Sequence, residues 1–423
     1  MPAQALRSFR LQANSKELPT VLELLQAEGY VCSPEPFAPT CFKLEAEPKP
    51  LGKSLAARFG YLYIQDRSSM LPPLALSPEQ GSRVLDFCAS PGSKTSFLSQ
   101  LVGPKGLILA NEPNPTRLAT LRHNLERLAL FNTVTTSYQG QDLPLAQASW
   151  DAILLDPPCS GWGTVEKNPK VLKIWQGKNL SRLIALQRKL LKKASELLAP
   201  GGSLLYSTCT TNWDEDEGQV QYAENELGLE RCKLDPFPGF VFEERPHGAG
   251  TLLVNGEASQ AQGFFLAKLT RSLSQTPSCT SSKPPRALAY AKTNELKLSL
   301  DLDLDLDLEQ LPQGTCAVFD DKVYFLPQVL DKILTNELRF KGLLLGKIHG
   351  GTFVPNPHCK SLSPKKGQES CALIFDELEP IYALLEGQSL ATTLSSKSAL
   401  LYFRNLPLSW LSIKQGRALL SHT

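Results

Sequence analysis

Cys159 stands in Asp156-Pro157-Pro158-Cys159-Ser160-Gly161, and Cys209 stands in Tyr206-Ser207-Thr208-Cys209-Thr210. Each segment follows a short apolar run, so each thiol is expected at the carboxyl end of a buried strand. A thiolate there could add to a pyrimidine ring carbon, making the neighbouring carbon reactive enough to accept a methyl group. A second thiol could help the adduct collapse. Two prolines fix the backbone after Asp156 and would direct the next side chains into the crevice beyond the strand ends. An aromatic residue after Asp-Pro-Pro would suit methylation of an exocyclic amine, whereas a cysteine in that place argues for carbon as the acceptor.

The elements that must position these residues read as an α/β alternation. Strands are expected at Arg83–Cys88, Leu107–Asn111, Val134–Ser137, Ala152–Asp156, Ser203–Thr208 and Phe264–Leu269. Helices are expected at Lys94–Leu101, Pro115–Ala129, Leu180–Leu198 and Glu215–Leu227, with Pro200-Gly201-Gly202 as a stop signal after the third. This is the pattern of a mostly parallel, Rossmann-like sheet covered on both faces. The fourth and fifth strands would be neighbours, so both sulfurs can face one cleft.

The turn after the first of these strands, Cys88-Ala89-Ser90-Pro91-Gly92-Ser93-Lys94-Thr95, is where a doubly wound fold holds a ligand. Its small residues allow close approach to backbone N–H groups, and the following helix N-terminus favours a carboxylate. Glu112 ends the second strand, where it could accept hydrogen bonds from ribose hydroxyls. There is no GxGxxG, and Gly92-Ser93-Lys94-Thr95 interrupts the GK[ST] of a phosphate loop, so an adenosyl amino acid fits better than a dinucleotide.

From about Ile64 to Arg271 these motifs together resemble the RNA cytosine-5 methyltransferases of the Sun type, closest in layout to bacterial 16S ribosomal-RNA members. The resemblance runs through Gln65-Asp66-Arg67-Ser68-Ser69-Met70, the cofactor turn, Asn111-Glu112-Pro113, Gly140-Gln141-Asp142, both cysteine motifs, Pro246-His247 and Gly263-Phe264-Phe265. It implies S-adenosyl-L-methionine as cofactor, bound by Cys88, Ala89, Ser90, Pro91, Gly92, Ser93, Lys94, Glu112, Asp142 and Asp156, with Glu112 on the ribose and Asp142 near the adenine. It implies Cys209 as the nucleophile on C6 of cytosine and Cys159 as the aid to product release. Asp156, with Lys94, would hydrogen-bond the base. The chain departs from the family where paired basic residues are common, carrying Val165-Glu166-Lys167-Asn168-Pro169 and then Lys170. It departs again at Ala261-Gln262, where an acidic residue often precedes Gly-Phe-Phe.

Four segments are expected along the 423 residues. Residues 1–75 read as a small α+β lead-in with a helix at Ser15–Ala27, then proline-broken sequence with strands such as Cys41–Leu44 and Tyr61–Gln65. Residues 76–271 hold the methyltransferase pattern. Residues 272–309 read as a linker: the Asp-Leu alternation from Asp301 to Leu308 has a strand's period, but repeated aspartate favours a solvated tether. Residues 310–423 read as a β-rich unit with strands such as Leu343–Leu345 and Leu400–Phe403 and a helix at Gln328–Asn336. Its resemblance to PUA-like accessory regions favours ribosomal over transfer RNA. The glycine-punctuated Gly342–Pro355 stretch suits either an accessory RNA surface or tight turns.

Net charge of +2 gives no global sign of a polyanion partner, so any RNA surface must be local. One basic cluster, Arg182, Arg188, Lys189, Lys192 and Lys193, lies on the third helix, where a solvated face is the alternative. Ten cysteines without a CxxC pair argue against zinc and against a disulfide framework, so a reducing cytoplasm is expected and no metal. Cys32, Cys41, Cys232, Cys279, Cys316, Cys359 and Cys371 read as small hydrophobes. No apolar stretch is long enough for a membrane span, and a monomer is expected. The rival functions are transfer-RNA methylation, a non-catalytic RNA assembly factor on the same scaffold, and DNA cytosine-5 methylation. Retention of both thiols and the cofactor turn weighs against the second, and Thr208-Cys209 weighs against the third.

Overall fold

The computed structural model describes residues 7–161, 179–273, 306–307, 311–328, 338–350, 352–360, 362–364 and 371–420. The chain opens with β1 (Ser8–Leu11), α1 (Leu18–Ala27), β2 (Val31–Pro34), β3 (Cys41–Ala46), α2 (Leu55–Arg58) and β4 (Leu62–Ile64). Their antiparallel sheet has the order β2-β3-β1-β4. The first helix begins three residues later than expected. Asn14 accepts from the backbone N–H groups of Lys16 and Glu17, which makes a turn before the helix, and Pro19 sits in its first turn. Pro34 is tolerated because β2 is an edge strand. A further helix, α3 (Leu71–Leu76), was hidden in the sequence by Pro72-Pro73, yet prolines in a first turn remove only N–H groups that have no helical partner.

The central sheet is built from β5 (Arg83–Asp86), α4 (Ser93–Val102), β6 (Leu107–Asn111), α5 (Pro115–Arg127), β7 (Thr133–Thr136), β8 (Trp150–Leu155), α6 (Asn179–Leu197), β9 (Leu198–Thr208), α7 (Glu217–Leu227), β10 (Glu230–Cys232), β11 (Phe242–Glu243), β12 (Leu252–Val254) and β13 (Phe264–Thr270). Strands β9-β8-β5-β6-β7 are parallel, and β13 returns antiparallel beside β9. All six expected strands and four expected helices are present, with ends shifted by a few residues. One expectation changes: α6 ends at Leu197 and β9 starts at Leu198, so Pro200-Gly201-Gly202 lies inside the strand's opening residues. Gly201 has φ +75° there, and the β8–β9 register slips between Trp150 and Ala152.

Alternation places neighbouring strand residues on opposite faces. Leu85, Leu109 and Ile153 pack with Leu190, Leu191 and Ala194 of α6, while Val84, Ile108 and Leu154 pack with Leu71 and Leu98. Both faces are therefore dry, which is why these strands read as continuous apolar runs. Chain order reverses at β5, whose neighbours are β6 and β8, and the crevice beyond the strand ends opens at that switch.

The remaining strands are β14 (Leu306–Asp307), β15 (Gly314–Phe319), β16 (Lys322–Pro327), β17 (Phe340–Lys341), β18 (Leu343–His349), β19 (Thr352–Pro355), β20 (Ser363–Pro364), β21 (Ala372–Phe375), β22 (Leu390–Ala391), β23 (Ser398–Phe403), β24 (Leu406–Lys414) and β25 (Arg417–Leu420), with α8 (Glu379–Leu385) after β21. They form sheets β15-β16-β18-β19 and β21-β23-β24-β25-β22, while β14 pairs with β20 and β17 extends the central sheet beside β7. Ile381, Leu401 and Leu411 share one core with Phe9, Leu24 and Leu55 of the first sheet. Lys360 is buried between them, donating to the carbonyl of Phe59 with its ammonium 3.4 Å from the Tyr61 ring centroid. The expected helix at Gln328–Asn336, apart from Gln328, and nearly all of the expected tether lie outside the described residues.

Arg67 joins the first sheet to the central one. Its guanidinium donates to Glu35 at 2.5 and 2.8 Å and to the carbonyls of Ser259 and Gly239, and it lies 4.8 Å from the Phe240 ring centroid. Both charges are buried, so Arg67→Ala leaves Glu35 without its counter-ion. The variant is expected to lose about 3–5 kcal/mol of unfolding free energy in urea titration. An unchanged midpoint would refute this role.

Candidate active site

Asp156 and Cys159 follow β8, and Cys209 follows β9, its parallel neighbour. The two sulfurs come to 3.2 Å from each other. Lys94, in the first turn of α4, reaches across β5 to place Nζ 2.7 Å from Asp156 Oδ2, and Ser207 Oγ donates to Asp156 Oδ1 at 3.1 Å. Four side chains from three strand–helix corners thus converge on one spot. The sequence-predicted set Cys209, Cys159, Asp156 and Lys94 is brought together.

The two thiols are not equivalent. A hydrogen bond from Cys159 pulls the Cys209 pKa down, opposed by burial and by Asp156 and aided by the Lys94 charge. Cys159 is pushed well up, first by that same hydrogen bond and then by burial. The pair therefore favours a thiolate on Cys209 held by a thiol on Cys159. Burial pulls Lys94 down, but Asp156 outweighs it and the net direction is up, so Lys94 remains an ammonium.

A buried carboxylate that the sequence reading missed braces this arrangement. Glu215 Oε1 accepts from Ser160 N at 2.9 Å and from Gln187 Nε2 at 3.0 Å, and Oε2 accepts from Ser160 Oγ at 2.5 Å. Ser160 Oγ also meets Thr210 Oγ1 at 2.9 Å, and Gln187 Nε2 donates to the carbonyl of Pro158 at 3.0 Å. Both cysteine turns are thus tied to one carboxylate. Its only trace in the sequence was the acidic run Asp214-Glu215-Asp216-Glu217, which reads equally as a helix start. Glu215→Ala is expected to orphan the Ser160 donors, to cost roughly 2–3 kcal/mol of stability and to loosen the spacing of the sulfurs. Calorimetry of that variant checks the first effect.

The turn Cys88–Lys94 lies at the carboxyl end of β5. Gly92 has φ +103°, which only glycine adopts without strain, and a Cβ there would stand 3.0 Å from Leu121. Ala89 N donates to the carbonyl of Asn111, tying the turn to β6, and Asn111 Nδ2 donates to the carbonyls of Phe87 and Tyr138. Arg117 Nη2 donates to the carbonyl of Ser90, and Asn124 Nδ2 to that of Pro91. Burial pushes the Cys88 thiol far up, so this residue contributes backbone rather than a nucleophile. Glu112 is buried, with Asn114 N 2.9 Å from Oε1 and Arg117 Nη1 3.4 Å from Oε2. Asp142 is exposed on the short turn Gly140–Asp142, where the buried Gln141 Oε1 has no hydrogen-bond partner among the described residues.

Asp86 lies beneath this turn. Burial pushes its carboxyl up to about 7, against a 2.7 Å hydrogen bond from Thr95 and the charge of Lys94. A carboxyl raised on folding contributes stability at low pH that is lost as pH rises from about 3.8 through about 7. Asp86→Asn is therefore expected to fall in stability less than the wild type between about pH 4 and about pH 8. Parallel melting curves would refute the assignment.

Residues 73–270 match the model of the 16S rRNA methyltransferase RsmB/F family. The ribosomal RNA small subunit methyltransferase F proteins of Enterobacter sp. (strain 638) and Cronobacter sakazakii are each 36% identical to this chain. The matches cover 63% and 64% of this chain and 57% and 58% of those proteins, so the chain spans less than two thirds of their length. A methyltransferase homologue from Pyrococcus horikoshii is 31% identical with a TM-score of 0.53, covering 63% of this chain and 86% of that one. The structure of NSun6 from the same organism, at 21% identity and a TM-score of 0.56 over 64% of this chain and 91% of that one, shares the fold. Over residues 73–270 the chain is thus similar to the 16S rRNA methyltransferase RsmB/F family, and its 31% identity over 86% of the Pyrococcus horikoshii protein places it among the methyltransferase homologues.

Proposed function

We propose that this protein is an S-adenosyl-L-methionine-dependent RNA cytosine-C5 methyltransferase acting on ribosomal RNA, with Cys209 as its nucleophile. The observation that carries this reading is the pair of sulfurs 3.2 Å apart beside the Lys94–Asp156 ion pair. The residues around the cofactor turn suit the cofactor. The Gly92 turn and the N-terminus of α4 offer N–H groups to a carboxylate, Glu112 can accept from ribose hydroxyls, and Asp142 lies beside the unpartnered Gln141 Oε1 at the end assigned to adenine. S-adenosyl-L-methionine would supply an electrophilic sulfonium methyl.

The Cys209 thiolate adds to C6 of cytosine, and the electron pair of the C5–C6 double bond becomes available at C5. Asp156 and Lys94 hydrogen-bond the base and oppose the charge that develops around N3. After C5 takes the methyl group, a base removes the C5 proton, the C–H electron pair re-forms the C5–C6 double bond, and the Cys209 thiolate leaves with the pair of the sulfur–C6 bond. Cys159 is assigned to this release, because its sulfur touches the departing one.

The reading divides the chain into an RNA-binding lead-in at 1–75, a catalytic unit at 76–271, a tether at 272–309 and a PUA-like accessory unit at 310–423, and takes it to act as a cytoplasmic monomer. The core common to the first sheet and the last one supports a stiff platform beside the catalytic unit. No helix among the described residues is long and apolar enough to cross a membrane. Bisulfite mapping of RNA from cells with and without the protein tests substrate and activity together. Loss of one ribosomal-RNA methylcytosine is expected; loss at a transfer-RNA position would move the substrate, and no lost site in any RNA would overturn the reading.

A further inference from the structure

A cleft of about 340 Å³ opens between α6, α7 and the turn Trp213–Glu215, which leads from the Cys209 strand end into α7. Its walls are planar groups. Trp213 is 43% exposed although it is the largest side-chain type, and the Arg188 guanidinium lies 5.3 Å from the Tyr222 ring centroid. Gly218 makes room for the indole: a Cβ there would come within 3.0 Å of Trp213 Cζ3. Asp214, Gln221 and Glu226 complete the rim with hydrogen-bonding groups.

Charge decides what such a cleft can take. Among the described lining residues one guanidinium, Arg188, stands with two carboxylates, Asp214 and Glu226, a net negative set that disfavours phosphate. Planar faces with amide and carboxylate edges instead match a nucleobase, which stacks on aromatic rings and offers amino hydrogens to carboxylates. The cleft is also mechanically joined to the catalytic turns. Trp213 follows Cys209 by four residues, Asn212 Oδ1 fixes the turn by accepting from Asp214 N at 3.0 Å, and Glu215 in the same turn holds Ser160. We infer that this cleft is a second base-binding subsite, which stacks an unpaired nucleobase flanking the target cytosine on Trp213 and the Arg188–Tyr222 pair. The inference rests on the RNA-methyltransferase reading and adds a specificity element to it.

The full chain is assayed with a ribosomal-RNA fragment and radiolabelled S-adenosyl-L-methionine. Trp213→Ala is expected to raise KM for RNA roughly tenfold, in the range of one lost stacking contact, with KM for the methyl donor unchanged and Trp213→Phe restoring most of the affinity. Because Trp213→Ala could disturb the turn, a second measurement uses indole fluorescence. A short unpaired oligonucleotide should quench wild-type emission, and Trp213→Phe should remove that quench while still binding. If the wild type methylates RNA but Trp213→Ala leaves KM for RNA unchanged, or the quench survives in Trp213→Phe, the subsite is overturned and the enzymatic reading stands. If the wild type transfers no methyl group to any RNA, both fall.

Discussion

Cys209→Ala is expected to lower methyl transfer by at least ~10³-fold, as deletion of a covalent nucleophile does, and to form no covalent RNA complex. Cys159→Ala is expected to behave differently. It keeps the Cys209 sulfur and the Lys94–Asp156 pair, so addition and methyl transfer can still proceed on the Lys94 charge although the hydrogen bond that lowers the Cys209 pKa is gone, but it lacks the group assigned to release. A protein–RNA adduct should therefore accumulate and survive denaturing electrophoresis, while turnover nearly stops. The asymmetry follows from geometry, since the sulfurs share one hydrogen bond and only Cys209 gains a thiolate from it. An adduct formed by Cys209→Ala and not by Cys159→Ala would reverse the roles.

Lys94→Met should have the next largest effect. The ammonium is 2.7 Å from Asp156 and also favours the Cys209 thiolate, so its loss removes a counter-ion from a half-buried carboxylate and a cation from the nucleophile. A fall of about 10²–10³ in kcat is expected from the missing electrostatic stabilisation. A pH signature accompanies it. Without the cation the Cys209 pKa rises, so the rising limb of kcat/KM moves to higher pH than in the wild type. Lys94→Arg keeps the charge and should leave the limb closer to its original place. A lower kcat with an unmoved limb would confine Lys94 to binding the base.

Much of the site was legible because strand ends are legible. Asp156, Cys159 and Cys209 follow apolar runs that can only be buried strands, and Gly92 with its neighbours marks the turn before a helix. Their meeting at 3.2 Å depends on β8 and β9 being parallel neighbours, which the α/β alternation implies. The braces were not legible. Glu215 sits in a run of four acids that gives no sign which one turns inward, and Gln187 lies on a helix among basic residues. Arg10, Arg67 and Lys360 are buried charges whose partners lie far away in sequence: Ser96 and Gln100, Glu35, and the carbonyl of Phe59. Composition treats such residues as solvated. Of the basic helix face, Arg188 proved to lie over an aromatic ring, while Arg182, Lys189 and Lys192 are exposed. The departures at Glu166, Lys167 and Lys170 lie outside the described residues. At Gln262, where an acid was missing, the backbone N–H donates to Asp66 Oδ1 at 3.1 Å, so a carboxylate reaches that place from another segment.

Bonding of Cys209 to cytosine can be observed directly. The most direct measurement incubates the wild-type protein with S-adenosyl-L-methionine and an RNA substrate carrying 5-fluorocytosine, whose C5 fluorine cannot leave as a proton does, and then identifies the modified peptide by mass spectrometry. A single RNA-linked peptide modified at Cys209 is expected. A nucleotide attached to Cys159, or methylated RNA with no protein-linked product, would contradict it.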